Sequence, residues 1–140
     1  MQGFVRSFGL LVTRQTPCGQ PVSPSYAHAL MLLLERESAG VGTTQTELAE
    51  ALGLDKSSIA RLCARLEADE RATQQPLPED RRSRRVALTG RGRKLAENIQ
   101  AASTERFRRV FSAIPRSKRA DVVAALCLLT AAVQSLEEES

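Results

Sequence analysis

The sequence predicts a mainly helical fold with one small β-ribbon, and three observations support that fold class. Residues 44–66 have the pattern of two short helices joined by a turn. Residues 73–89 have the pattern of two short strands joined by a turn, and the rest of the chain has apolar residues at helical spacing. A helix-turn-helix followed by a two-stranded ribbon is a winged helix-turn-helix, here with added N- and C-terminal helices.

Two helices are expected before this motif. Gly3–Arg14 is a short amphipathic segment, and a loop with three prolines and a glycine follows it. The second helix starts at Ser23 or Ser25, because Pro24 suits the first turn of a helix. It runs to about Ser38, and its heavily apolar centre predicts a core position.

The helix-turn-helix is predicted from its end signals. Thr44 and Glu47 have the spacing of a capping box, so a helix begins there. Gly53 supplies the residue that tolerates positive φ in the turn, and Asp55 can cap the second helix. The apolar stripe of that second helix consists of Ile59, Leu62, Cys63 and Leu66.

The opposite face of the second helix combines small and basic residues. They are Lys56, Ser57, Ala60, Arg61, Ala64 and Arg65. Such a face suits a helix that lies in the major groove of DNA. A helical hairpin of any globular protein has similar apolar spacing, but the basic outer face and the spacing from Ala49 through Gly53 to Ile59 favour DNA binding.

The ribbon is predicted from two strand patterns, Thr73–Gln75 and Arg84–Leu88. A turn-forming cluster separates them, namely Pro76, Pro78, Glu79 and Asp80. Residues 71–94 hold eight Lys/Arg against two acids, a net charge of +6, whereas the whole chain is only +4. A charge run is often only a solvated face, but beside a helix-turn-helix it indicates a surface that contacts phosphates.

The C-terminal third predicts two helices and a dimer. A long helix runs from Gly90 to about Ile114, because Pro115 pushes its predecessor out of the helical region. A last helix follows from Ser117 to Leu136 and is apolar on nearly every face. It is either buried within one chain or, as we expect, part of a homodimer interface built from the first helix and the last two.

Other function classes have little support in the sequence. The chain has one histidine, and it contains no catalytic nucleophile motif, nucleotide-binding motif or paired zinc-ligand spacing, so we expect no enzyme, cofactor or metal site. We expect no segment that spans a membrane and no signal peptide, and therefore a cytoplasmic protein. Cys63 and Cys127 are expected to be small buried hydrophobes, while Cys18 lies in a loop and should be the most exposed thiol.

Two stretches resemble the MarR family of bacterial transcription regulators, namely TQTELAEALGLDKSSIARLCARLE and PEDRRSRRVALTGRGRKL. The resemblance implies one domain over residues 1–140, with a DNA-binding lobe at 23–89 and dimerisation helices at 1–22 and 90–140. It also implies a homodimer that binds a palindromic operator, usually as a repressor. The residues expected to contact double-stranded DNA are Thr44, Thr46, Lys56, Ser57, Ser58, Arg61, Arg65, Asp80, Arg81, Arg82 and Arg84.

The resemblance further implies release of DNA by a small ligand, here a phenolic or carboxylate effector. Arg14, Tyr26 and His28 are the polar residues nearest the expected pocket, although packing or solvation explains each equally well. One alternative is a redox-sensing repressor that uses Cys18. Another is a winged helix that binds other proteins without specific DNA binding. The segment before the wing departs from the family, because it has no glycine between Glu67 and Ala72.

Overall fold

The computed structural model describes Thr16 and residues 19–138. The chain divides into two compact units, one that extends to Ser103 and one from Thr104 to Ser140. The predicted first helix, with the effector candidate Arg14, and the redox candidate Cys18 lie outside the described residues. The division of the chain into a DNA-binding lobe and dimerisation helices remains a prediction.

The first described helix, α1, spans Pro24–Ser38 as predicted. Ser23 is its N-cap, and the Ser23 hydroxyl accepts the backbone N–H of Tyr26. Pro24 occupies the first helical position, where its missing N–H costs nothing. The apolar centre of α1 is buried, so its predicted place in the core is confirmed.

The helix-turn-helix consists of α2, Gln45–Leu52, and α3, Lys56–Ala68. Thr44 and Glu47 form the predicted capping box, and Gly53 ends α2 with a φ of 62°. Asp55 caps α3 by accepting the backbone N–H of Ser58 at 2.8 Å. These end signals are local in sequence, and all three are confirmed.

The sheet has three antiparallel strands in the order β1-β3-β2. The predicted ribbon strands are present as β2, Ala72–Pro76, and β3, Arg84–Leu88. The additional strand β1, Thr43–Thr44, pairs with β3. It joins the wing to the start of α2, and the sequence reading did not anticipate it.

One apolar core holds these elements together. Its largest fully buried apolar side chains come from α1, α2, α3, β3 and the long helix that follows β3. They are Leu30, Leu33, Leu48, Leu66, Val86 and Ile99. Of the predicted stripe on α3, Ile59, Cys63 and Leu66 are buried, and Leu62 packs against the core while half-buried.

The long helix α4, Gly90–Ser112, begins in close contact with the segment that leads into the wing. A Cβ atom on Gly92 would lie 1.8 Å from the carbonyl oxygen of Arg71, so no other residue fits without moving the backbone. Glu70 has a φ of 56°, which is the left-handed region. A glutamate just before the wing thus has a backbone conformation that glycine adopts more easily.

Within the second unit, a short 3-10 turn at Arg116–Lys118 leads into α5, Arg119–Glu138. Arg119 donates through Nε to the carbonyl oxygen of Ile114 at 3.0 Å, and its guanidinium lies 5.7 Å from the ring centroid of Phe111. The apolar side chains of α5 are exposed in the single chain. The largest of them are Val123, Leu126, Leu128, Leu129, Val133 and Leu136.

The length argument against a membrane-spanning segment is wrong for α5. The segment Arg116–Leu136 is long and apolar enough to cross a membrane, judged by length and composition alone. The sequence argument considered uninterrupted apolar runs, which are short here because Thr130 and Gln134 interrupt them. Averaged over the whole helix, the leucines, valines and alanines outweigh these few polar residues. The predicted burial of Cys127 is also wrong for the single chain, in which Cys127 is exposed.

Candidate nucleic-acid interface

The exposed face of α3 contains the residues expected to contact DNA. Lys56, Ser57 and Arg61 are exposed near its N-terminal end. The Ser58 hydroxyl donates to Asp55 Oδ2 at 2.7 Å, and this bond, with the Ser58 backbone N–H, holds the pKa of Asp55 below its usual value. Because Ser58 is bound in the helix cap, its side chain stabilises the start of α3 more than it offers a free donor.

The wing tip is organised by Asp80. Its carboxylate accepts the Ser83 hydroxyl at 2.8 Å and the backbone N–H of Arg82 at 3.0 Å, and both bonds lower the pKa of Asp80. The Ser83 N–H also donates to the Asp80 carbonyl oxygen at 3.0 Å. This turn leaves the side chains of Arg81 and Arg82 exposed at the tip.

A cleft of about 540 Å³ brings the wing tip together with the helix-turn-helix. Thr46 from α2, Lys56 from the start of α3 and Arg82 from the wing all line it. Three of the predicted DNA contacts, distant in sequence, therefore meet on one concave surface. The lining has two cations, Lys56 and Arg82, against one acid, Glu50, so its net positive charge attracts phosphate or another anion.

The arginines of β3 have different surroundings. Successive residues of a strand point to opposite faces, so Arg84 and Arg85 diverge. Arg85 packs over Gly42, where an added Cβ would lie 3.1 Å from its guanidinium carbon. It also faces Glu47, whose pKa is lowered mainly by the backbone N–H and hydroxyl of Thr44 and to a smaller degree by Arg85. Arg84 is exposed and remains available to a partner.

Two predicted contacts have structural roles. Thr44 Oγ1 accepts the backbone N–H of Glu47 at 3.2 Å and donates to its carboxylate at 2.9 Å. Arg65 lies with its guanidinium 5.5 Å from the ring centroid of Tyr26 and its Nε 3.8 Å from Asp69 Oδ2. Thr44 begins a helix, and Arg65 is engaged at the far end of the next one.

The candidate effector residues are separated. His28 lines a cavity of about 270 Å³ between α1, the end of α2 and α4, together with Met31, Leu32, Glu35, Ala51, Leu52 and Gln100. Tyr26 is buried and donates its hydroxyl to Asp69 Oδ2 at 2.9 Å. Tyr26 therefore contacts the end of α3. Of the two described candidates, it is His28 that lines the cavity.

Sequence reasoning did not find Asp69 or the link from α3 to the wing. Glu67 on α3 accepts the backbone N–H of Gln74 at 3.2 Å and its side-chain amide at 3.0 Å. Asp69 lies four residues after Arg65, a spacing that favours an ion pair on a helix. The contact of Asp69 with Tyr26 crosses 43 residues and has no local signal.

Comparison with known proteins locates the family resemblance in one part of the chain. The sequence profile of the MarR family matches residues 20–83, the segment that contains α1, the helix-turn-helix and most of the wing. This match covers 64 of the 140 residues and ends just before β3. The family resemblance and the winged-helix fold class predicted from the sequence are therefore confirmed.

Solved structures of MarR-type proteins share the fold. A crystal structure of an S. aureus MepR–DNA complex is 21% identical and aligns with a TM-score of 0.70 over 80% of each chain. A crystal structure of MarR is 21% identical, with a TM-score of 0.69 over 98% of this chain and 84% of that one. A MarR transcriptional regulator from Methanosarcina mazei Go1 is 26% identical, with a TM-score of 0.63 over 77% and 78%. No curated protein matches the chain significantly.

Proposed function

We propose that this MarR-type protein is a DNA-binding transcription regulator that acts as a homodimeric repressor on a palindromic operator. The observation that carries the proposal is the cleft that is lined by both Lys56 of α3 and Arg82 of the wing. A helix in the major groove and a wing beside it need cations at both places. The structural neighbour MepR is described in complex with DNA, which supports the same use of this fold here.

The proposed dimer rests on α5. Its exposed leucines and valines form an apolar surface that a monomer rarely leaves in water. Pairing of two copies through their C-terminal helices would cover this surface without a membrane, and a cytoplasmic location follows from that proposal. Two-fold symmetry would then place two α3 helices about 34 Å apart, one turn of DNA.

The proposed effector site is the cavity beside His28. At about 270 Å³ it is just below the usual size range of ligand pockets, and its lining combines apolar Met31 and Leu32 with polar His28, Gln100 and Glu35. Of the two expected ligand classes a phenol fits this lining better than a carboxylate, because the imidazole and the amide can donate hydrogen bonds, whereas Glu35 can accept one from a phenol and repels a carboxylate. Binding there would release the operator.

The deciding experiment is selection of genomic DNA fragments by the purified protein, followed by titration of the enriched site at two salt concentrations. We expect an enriched palindrome bound at nanomolar affinity, with affinity that falls as salt rises. Enrichment of no sequence, with only weak binding to all DNA, would favour the protein-interaction module instead. Titration of phenolic and carboxylate compounds into the complex then tests the effector site.

A further inference from the structure

The end of α3 is attached to the start of α1 by a part-buried hydrogen bond. The Tyr26 hydroxyl donates to Asp69 Oδ2 at 2.9 Å, and Asp69 is the residue that ends α3. Tyr26 is only 3% exposed. Burial, reinforced by the hydrogen bond to Asp69, raises the pKa of Tyr26 to about 12, so the phenol remains a donor throughout the physiological range.

Arg65 completes this group. Its guanidinium lies 5.5 Å from the centroid of the Tyr26 ring, within the range of a cation–π contact, and its Nε lies 3.8 Å from Asp69 Oδ2. Both arginines are exposed, Arg65 with 68% of its side chain accessible, but Arg61, one helical turn earlier, makes only a long contact of 3.5 Å with Ser58 Oγ. The side chains of Arg61 and Arg65 therefore have different partners before any DNA binds.

The last turn of α3 is also held from its other side. Glu67 accepts two hydrogen bonds from Gln74 of β2, at 3.2 and 3.0 Å. The end of α3 is thus bound to the wing through Glu67 and to α1 through Asp69. The first two turns, which contain Lys56 and Arg61, are the part of the helix left free to enter a groove.

We propose that Tyr26, Arg65 and Asp69, here named the Tyr26 cluster, orient the recognition helix α3 on α1. In this arrangement Arg65 is a positioning residue, and Arg61 is the arginine that reads a base. The proposal deepens the proposed function and rests on it, because orientation of α3 matters for binding only if α3 enters DNA. It narrows the base-reading surface to the N-terminal half of α3.

The test uses the full-length protein and its selected operator. Tyr26→Phe and Asp69→Ala should each weaken binding about three- to tenfold at every operator variant, because neither side chain touches a base. The double variant should be no weaker than the weaker single variant, since both changes remove one hydrogen bond. Asp69→Asn keeps an oxygen acceptor for the phenol and should restore most of the affinity.

Arg65→Ala and Arg61→Ala form a matched pair on the same helix. Arg65→Ala should give the same uniform loss as Tyr26→Phe, whereas Arg61→Ala should lose about tenfold or more in discrimination at one base pair. Loss of discrimination at one position in Arg65→Ala would overturn the proposal. So would additive effects of Tyr26→Phe and Asp69→Ala, or full affinity in Tyr26→Phe and Arg65→Ala.

A spectroscopic measurement separates this proposal from the proposed function. Tyr26 is the only tyrosine and the chain has no tryptophan, so the intrinsic tyrosine emission reports this site alone. A carboxylate that accepts the phenol's hydrogen bond quenches that emission, so Asp69→Ala should be brighter than the wild type while thermal melts show it folded. Unchanged emission would overturn the Tyr26 cluster itself. A wild type that binds no DNA, with brighter Asp69→Ala, would instead refute the proposed function and the positioning role.

Discussion

Asp80 Oδ1 accepts the backbone N–H of Arg82 at 3.0 Å, so the acid of the wing tip holds the backbone of the arginine. With the Ser83 hydroxyl on the other carboxylate oxygen, Asp80 closes the turn that presents the tip. The shape of this turn depends on an oxygen acceptor more than on a negative charge.

Replacement of Asp80 tests this distinction. Asp80→Asn keeps an acceptor for the Arg82 N–H and should retain operator affinity within about twofold, whereas Asp80→Ala should lose about three- to fivefold. The asparagine variant is the control for charge. Binding isotherms at one salt concentration test this difference. Equal losses of operator affinity in both variants would show that the negative charge of Asp80 determines binding.

Arg82 itself should contribute affinity without base specificity. Arg82→Ala should weaken binding to most sequences and reduce the salt slope by about one unit per subunit, because one phosphate or minor-groove contact is lost. It should also lessen any preference for narrow A·T-rich flanks. Arg85→Ala is the matched control on the same ribbon, since Arg85 packs over Gly42. An unchanged salt slope in Arg82→Ala would show that the wing is not part of the DNA-binding interface.

Glu70 offers a test of backbone strain. Its φ of 56° is unfavourable for a residue with a side chain, by about 1–2 kcal/mol, and glycine adopts it freely. Glu70→Gly and Glu70→Ala both lose the exposed ion pair with Arg91, and only the glycine relieves the strain. Denaturant unfolding should therefore show Glu70→Gly more stable than Glu70→Ala by about 1 kcal/mol. Equal stabilities would show that the backbone changes conformation in both.

Local and distant features were unequally predictable. The helix caps at Thr44 and Asp55 and the turn at Gly53 were predicted, because each is a contact over a few residues with a known residue preference. Strand β1 was missed, because two residues give no period and their partners on β3 lie more than 40 residues away. The contact of Tyr26 with Asp69 was missed for the same reason.

The candidate site shows the same contrast. The helical period of α3 predicted which residues face outward, including both Arg61 and Arg65. It could not tell that the Arg65 side chain lies over Tyr26, since periodicity gives the face of a helix and not the partners of a side chain. The absence of a glycine before the wing could be seen in the sequence, but the left-handed conformation of Glu70 could not.

Acid should destabilise the capping box at the start of α2. The hydrogen bonds from Thr44 hold the pKa of Glu47 below its ordinary value. The folded state therefore binds fewer protons, and the stabilisation is present above about pH 4.5 and is lost as pH falls through the lowered pKa. Glu47→Gln keeps the capping geometry and removes the titration. Thermal melts between pH 6 and 3 should show a smaller decrease in melting temperature for Glu47→Gln than for the wild type. Parallel curves of melting temperature against pH would exclude this contribution.

Leu129 tests the proposed dimer. It is 52% exposed on α5 in the single chain, and a two-fold interface would bury it. Leu129→Asp should place a charge in an apolar interface, cost on the order of several kcal/mol and give monomers in light scattering at micromolar concentration. Gln134→Asp adds the same charge to the same helix at a polar position and should remain dimeric.

Maleimide labelling gives a second readout of the dimer. In a Cys18→Ser background Cys63 is buried, and Cys127 is exposed only when α5 is uncovered. Labelling of Cys127 should be slow in the dimer and fast in Leu129→Asp. A folded wild-type monomer whose Cys127 reacts at once would refute the dimer and leave the apolar face of α5 to another partner.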